Sequence, residues 1–449
     1  GNMQKAFAKG GFIIVYFLYS NESKEAEEKK VKKNYVKKLG LGLVSLGILG
    51  GLAACGNGSS STSSSESDEK TLTVSVDSGY KDYINEIKGD FEKENDVKIK
   101  LVEKDMFEQL EALSLDGPAG KGPDVMMAAY DRIGALGQQG HLAEVKLGNE
   151  ADYDETDKAQ VTYDGKIYGE PAVIETLVLY YNKDLVETAP TTFKDLEALA
   201  KDDRFAFESE SGKNTGFLAK WTDFYYSYGL LAGYGGYVFG DNGTDPSDIG
   251  LDNAGSIEGI TYATNWFQNV WPKGMQDIKS AGDFVSQQFM DNKSAAIIDG
   301  PWQAQTYKDN KMNYGVAKIP TLDNGEAYQP FGGGKGWVAS NYSKNKELSQ
   351  KWLDYVTNTK NQEKFFEMVN EIPANQTARE TAKSKNDELT TAVIDQYENA
   401  QAMPNIPEMA EVWTGAENLM FDAASGTKTP KESATDAVKT IKEAIEQKY

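Results

Sequence analysis

From Thr71 to the end of the chain, apolar and polar positions follow two periods in turn. Leu72, Val74 and Val76 fall on alternate positions, as in a half-buried strand. Ile84, Ile87 and Phe91 then recur at helical spacing, and Val97, Ile99 and Leu101 return to the period of two. Short apolar runs sit beside turn signals: Asp124 to Met127 after Gly122-Pro123, Leu177 to Tyr181 before Asn182, and Ala295 to Ile298 before Gly300-Pro301. Thr192 and Asp195 have capping-box spacing, with Phe193, Leu196 and Leu199 on one face behind them. Ile257, Ile260 and Phe267 mark another helix, and a last one is expected from about Pro430 to Lys448. Alternating strand and helix predicts an α/β architecture with mostly parallel sheets. Ligands of open α/β sheets bind beyond the carboxyl ends of the strands. That rule singles out Asp131-Arg132 after one expected strand and Pro301-Trp302 after another.

The first seventy residues are patterned differently. Six lysines between Lys29 and Lys38 precede an apolar, glycine-rich run from Leu39 to Ala54, and then comes Leu52-Ala53-Ala54-Cys55. A basic stretch, a short apolar stretch and small residues are the three parts of an export signal. The run is shorter than the ~20 residues a spanning helix needs. Its ending resembles the lipobox of bacterial lipoproteins, which implies cleavage before Cys55 and a diacylglyceryl group on its sulfur. Residues 1–28 fit this signal less well, and the native start is expected near Val31. Behind Cys55, seven of the fifteen residues from Gly56 to Lys70 are serine and none is apolar. This stretch is a flexible tether with a reach of roughly 20 Å.

Composition narrows the chemistry. A chain of 449 residues fits two or three domains. With 47 basic against 69 acidic residues the net charge is −22, which disfavours nucleic acid as a partner. One cysteine, Cys55, and one histidine, His141, exclude intrachain disulfides and zinc sites built on Cys or His clusters. No metal or cofactor is expected, and His141 reads as structural. The glycine run around Lys335 is no phosphate loop, because Gly336 stands where Ser or Thr is required. It reads as a tight backbone segment. Asp241 to Asp248 lacks calcium-loop spacing and reads as a solvated turn. No nucleophile elbow, HExxH or dinucleotide fingerprint is present.

Aromatics are plentiful, with 7 Trp, 24 Tyr and 18 Phe. Trp302 follows Gly-Pro, Trp413 follows Met403-Pro404-Asn405-Ile406-Pro407, and Tyr225 lies beside Asp223. A pyranose has an apolar face of C–H groups and a rim of hydroxyls, so it suits an aromatic plane ringed by carboxylates or arginine. Paired carboxylates of a glycoside hydrolase remain an alternative on motif grounds.

Longer stretches carry a family resemblance. DVMMAAYDRIGALGQQGHLAEV from Asp124, DGKIYGEPAVIETLVLYYNKDL from Asp164, LLAGYGGYVF from Leu230, FMDNKSAAIIDGPW from Phe289, NYGVAKIPTL from Asn313, NEIPANQTAR from Asn370 and MPNIPEMAEVW from Met403 occur in order. Together they resemble the extracellular solute-binding proteins of carbohydrate ABC transporters, most closely the maltose/maltodextrin-binding proteins. The resemblance implies a two-lobed periplasmic-binding-protein-like fold with a hinge and an interlobe ligand cleft. The implied layout is 1–54 upstream extension and signal, 55–70 lipidated cysteine and tether, 71–174 plus 322–382 N-lobe, and 175–321 plus 383–449 C-lobe. It implies no enzymatic activity. It implies instead a monomer, lipid-anchored on the outer face of the cell membrane, that binds maltodextrins and delivers them to the permease subunits of an importer. A different oligosaccharide is the alternative ligand. By the same resemblance Asp131, Arg132, Glu175 and Asp223 would hydrogen-bond sugar hydroxyls, and Tyr225, Trp302 and Trp413 would stack on sugar rings. Two positions depart from the family. Ala128 stands where a tryptophan is expected, and Asp77-Ser78-Gly79-Tyr80-Lys81 does not reproduce an Asp-Lys pair. Both departures favour longer chains held across more subsites.

Overall fold

A computed structural model describes residues 70–385 and 387–449. The expected signal, Cys55 and the tether as far as residue 69 lie outside the described residues. From Lys70 to Tyr449 the chain forms one unit built on two principal sheets.

The first sheet follows the expected periodicities. Strand β1 (Lys70–Val76) buries Leu72, Val74 and Val76. The helix Lys81–Asn95 packs Tyr83, Ile84, Ile87 and Phe91 inward and ends at Asp96, in the left-handed region at φ 48°. Strand β2 (Val97–Glu103) then lies parallel to β1 along its whole length, and β3 (Val125–Ala129) lies parallel to it on the other side. A small hairpin, β4 (Thr162–Tyr163) with β5 (Lys166–Ile167), leads into β6 (Glu170–Glu175).

Two residues later the chain enters the second sheet at β7 (Val178–Asn182). The capping box of Thr192 and Asp195 forms as expected and opens the helix Phe193–Leu199. Strand β8 (Phe217–Ala219) follows, then a peripheral strand β9 (Asp245–Ile249), then β10 (Ala296–Asp299) and β11 (Tyr314–Ala317). The second sheet has the order β11-β7-β10-β8. Its core is aromatic: Trp221 and Trp271 contact Phe217 at 5.8 and 6.1 Å between centroids, and the Trp271 indole N–H donates to the Phe217 carbonyl at 2.6 Å.

The chain returns to the first sheet through β12 (Phe331–Ala339), which runs antiparallel to β3 and β6, and β13 (Gln401–Ala402) adds to its far end in parallel. The expectation of mostly parallel sheets is therefore corrected: both sheets are mixed. In the first, β12 arrives by a return connection from the other sheet instead of a helical crossover, so it is free to run antiparallel. In the second, β7 enters directly from β6 and pairs antiparallel with β10 and β11.

Strand β12 is the glycine run that the motif search read as a tight backbone segment. All nine of its residues are buried. A Cβ on Gly334 would sit 1.8 Å from the Val173 carbonyl oxygen, and Gly334 itself adopts φ 137°. The glycines let β6 and β12 approach closely.

Helices Lys346–Val356, Thr359–Val369 and Gln376–Lys383 belong with the first sheet, and the helix Glu388–Tyr397 lies against β11 and β7. Its last two residues tie the crossings together. Gln396 accepts from the Ile319 N–H at 2.7 Å and donates to the Tyr328 carbonyl at 2.9 Å. Tyr397 donates to Asp157 at 2.9 Å and accepts from Gln160 at 2.7 Å.

Candidate functional site

The site residues named from the sequence sit on elements of both sheets. Asp131 and Arg132 open the helix Tyr130–Gln138, directly after β3. Glu175 ends β6, at the step between the sheets. Asp223 caps the helix Phe224–Gly233, accepting from the Tyr225 N–H at 2.9 Å, so the cap fixes Tyr225 in the first turn. Trp302 follows β10 in a single turn with Pro301 at its start, and Trp413 lies in the helix Met409–Gly415.

The aromatic members meet. The Tyr225 ring lies 6.4 Å from Trp302 and, nearly parallel, 6.2 Å from Phe331. Phe331 stands 5.7 Å from Trp413 and stacks on Tyr228 at 4.0 Å. Phe331 therefore links Tyr225 to Trp413. Sequence reasoning missed it, because it begins a strand whose other residues are largely glycine. Trp302 and Trp413 remain partly exposed, whereas Tyr225 and Phe331 are buried. The Trp302 indole lies over Gly300, where a Cβ would come within 2.1 Å of the ring.

Carboxylates gather around these rings. Glu175, Asp223, Asp131 and Asp299 all act electrostatically on the Tyr225 hydroxyl and, together with burial, push its pKa far up. Burial also raises Asp131, against the pull of Arg132, and raises Asp223, against Lys220 at 3.8 Å. Glu175 is pushed up to about 8 by burial, opposed by Lys335 and reinforced by Glu371. Its Oε1 is buried and has no hydrogen-bond partner among the described residues. Asp299, also missed in the sequence, is pushed up to about 6 by burial. It accepts from the Tyr226 hydroxyl at 3.0 Å and from the Gly300 N–H at 2.8 Å. The bond from Tyr226 joins the end of β10 to the helix that carries Tyr225.

Arg132 stands over the Phe107 ring at 5.3 Å, which fixes its guanidinium within the first lobe. Ala128, in the place of an expected tryptophan, is wholly buried opposite Gly336 of β12. His141 is hydrogen-bonded to the Tyr342 hydroxyl at 2.7 Å. Among the described residues no group of three or more His, Cys, Asp or Glu is placed to hold a metal ion.

An aromatic cluster flanked by buried carboxylates, close to where the chain passes from the first sheet to the second, has the chemistry to hold a neutral polyhydroxylated solute. Residues 86–392 match the family model described as bacterial extracellular solute-binding protein, and the chain belongs to that family. Maltodextrin-binding protein MdxE of Bacillus subtilis (strain 168) is 64% identical over 399 residues, covering 89% of this chain and 95% of that protein. A maltooligosaccharide ABC transporter solute-binding lipoprotein of Streptococcus pneumoniae (strain ATCC BAA-255 / R6) is 56% identical over 412 residues, covering 91% of this chain and 97% of that protein. The crystal structure of the maltose-binding periplasmic protein MalE of Listeria monocytogenes, in complex with maltose, is 76% identical. It superposes with a TM-score of 0.84, over 85% of this chain and all of that one.

Proposed function

We propose that the protein is the maltodextrin-binding component of an ABC importer, a lipoprotein held on the outer face of the cell membrane. The observation that carries this reading is the run of rings from Trp302 through Tyr225 and Phe331 to Trp413, with Asp131, Glu175 and Asp223 acting on the Tyr225 hydroxyl. Aromatic faces cover the C–H faces of successive glucose units, and carboxylates accept from the hydroxyls at their edges. The unpartnered Glu175 oxygen gains a donor when a sugar hydroxyl arrives. Tryptophans on separate elements, Trp302 and Trp413, suit a chain of several units.

The protein binds and does not cleave. The site residues come from both lobes, so a bound sugar links them and draws them together about the crossings between the sheets. The closed pair then presents one joint surface to the membrane subunits, which perform the ATP chemistry. Because ligand must be handed on, the expected affinity is micromolar, about −8 kcal/mol. Cys55 is the anchor, and the serine-rich stretch lets the body move above the membrane.

The test is titration calorimetry with maltose, maltotriose, maltotetraose and unrelated oligosaccharides. Maltodextrins should bind, and Trp302→Ala and Trp413→Ala should each weaken them at least tenfold. Heat from a galacto-oligosaccharide with none from maltotriose would overturn the ligand assignment. Release of shorter sugars from maltotetraose would overturn the non-enzymatic reading.

A further inference from the structure

Strand β12 carries one charged side chain, and it is buried. Lys335 is 6% exposed. Its Nζ lies 3.8 Å from Oε2 of Glu371, in the segment after the helix Thr359–Val369, and 4.9 Å from the centroid of the Tyr80 ring. The Tyr80 hydroxyl in turn donates to the Glu371 carboxylate, at 2.7 and 2.9 Å from its two oxygens. Lysine, tyrosine and glutamate thus form a closed triangle drawn from three separate segments of the first lobe. Glu175 borders it, since β6 pairs with β12 and Glu175 stands opposite Gly333, two positions from Lys335.

We propose that Lys335 is a positioning residue of the sugar site: through the Glu371–Tyr80 triangle and its charge it holds Glu175 ready to accept hydrogen bonds from the ligand. This inference rests on the reading of Glu175 as a ligand contact.

A buried ammonium is costly unless it is paired, so a lysine kept at this position must be matched by the carboxylates around it. The groups facing Glu175 come from every neighbouring element. Lys335 lies on β12, Glu371 beyond the helix Thr359–Val369, Tyr80 after β1, Tyr180 on β7 and Tyr225 on the helix Phe224–Gly233. Lys335 is the cation among them and lowers the proton affinity of Glu175, whereas Glu371 raises it. The two neighbours therefore act on one carboxylate with opposite sign. A residue that merely filled space would not do this.

The experiment is maltotetraose affinity from pH 5 to 10, by calorimetry, on the lipid-free body. In the unsubstituted protein, affinity should rise with pH as Glu175 ionises. Lys335→Met should move the midpoint of that rise upward by a pH unit or more and weaken binding at least tenfold at pH 7. Lys335→Arg should restore it. Glu371→Gln should move the midpoint downward, and this variant serves as the readout should Lys335→Met fail to fold. Midpoints that stay put in folded Lys335→Met, or in Glu371→Gln, would overturn the role of Lys335. Glu175→Gln separates the two readings. If it abolishes the pH dependence while Lys335→Met leaves the midpoint unmoved, Glu175 is a contact and the role of Lys335 fails. If Glu175→Gln binds as tightly as the parent at every pH, the Glu175 reading fails as well.

Discussion

Gly300 shows how one missing side chain shapes the site. Its backbone, at φ −93° and ψ 165°, is ordinary for any residue, so nothing but space demands glycine there. The space is filled by the Trp302 indole. Gly300→Ala should leave the backbone unstrained and push the indole off its seat, lowering maltodextrin affinity about tenfold, or about 1.4 kcal/mol. Calorimetry beside a melting curve separates this from a loss of fold. The aromatic and acidic residues around it were partly legible in the sequence. Trp302 and Trp413 stand beside proline breakers, and Asp223 sits two residues before Tyr225. Phe331, Asp299 and Glu371 were not legible, because each matters through contacts with residues far away in the chain. Asp299 reaches Tyr226 across 73 positions, a relation that no local spacing encodes.

Elements marked by a clear period, or by an apolar run beside a turn signal, were read well. Strand β1, strand β2 and the helix between them bury the alternate or helical positions that named them. Strand β12 escaped, since a glycine-rich strand has no apolar alternation and its burial is set by its neighbours. The helix Glu388–Tyr397 belongs to the second sheet by packing, yet its Tyr397 reaches a buried ionic group in the first. Arg379 donates to both oxygens of Asp157 at 2.6 Å and to Asp154 at 3.1 Å, with its guanidinium 4.9 Å over the Tyr397 ring. Asp157 is wholly buried. Arg379→Met would strand that carboxylate and should lower unfolding stability by about 3–5 kcal/mol in a urea titration. Adding Asp157→Leu to it should recover much of the loss, because the charge that needed a partner is then gone.

Across the whole molecule, acid is the dominant theme. The part from Cys55 onward has 38 basic and 65 acidic residues, a net −27, while the proposed ligand is neutral. That charge serves solubility and repulsion from an anionic cell surface. Four buried carboxylates add a direction to its pH dependence. Glu175 is pushed up to about 8, Glu170 and Asp157 to about 7 and Asp299 to about 6, each mainly by burial. Each binds a proton in the folded chain at pH values where the unfolded chain has released it. Their contribution is present at the acid end of the range from about 4.5 to 8 and is lost as pH rises through it. The ligand-free protein should therefore melt higher at pH 5.5 than at pH 8, by differential scanning calorimetry. On the proposed reading of Glu175 as a ligand contact, the same ionisation that costs the free protein stability would ready it for sugar. The division of tryptophan has a practical consequence. Trp221, Trp266, Trp271, Trp337 and Trp352 are at most 2% exposed, whereas Trp302 and Trp413 are partly exposed. Five indoles thus form a constant optical background, and on the proposed function the other two would supply the change in emission on stacking, so that the protein would report its own occupancy without a dye.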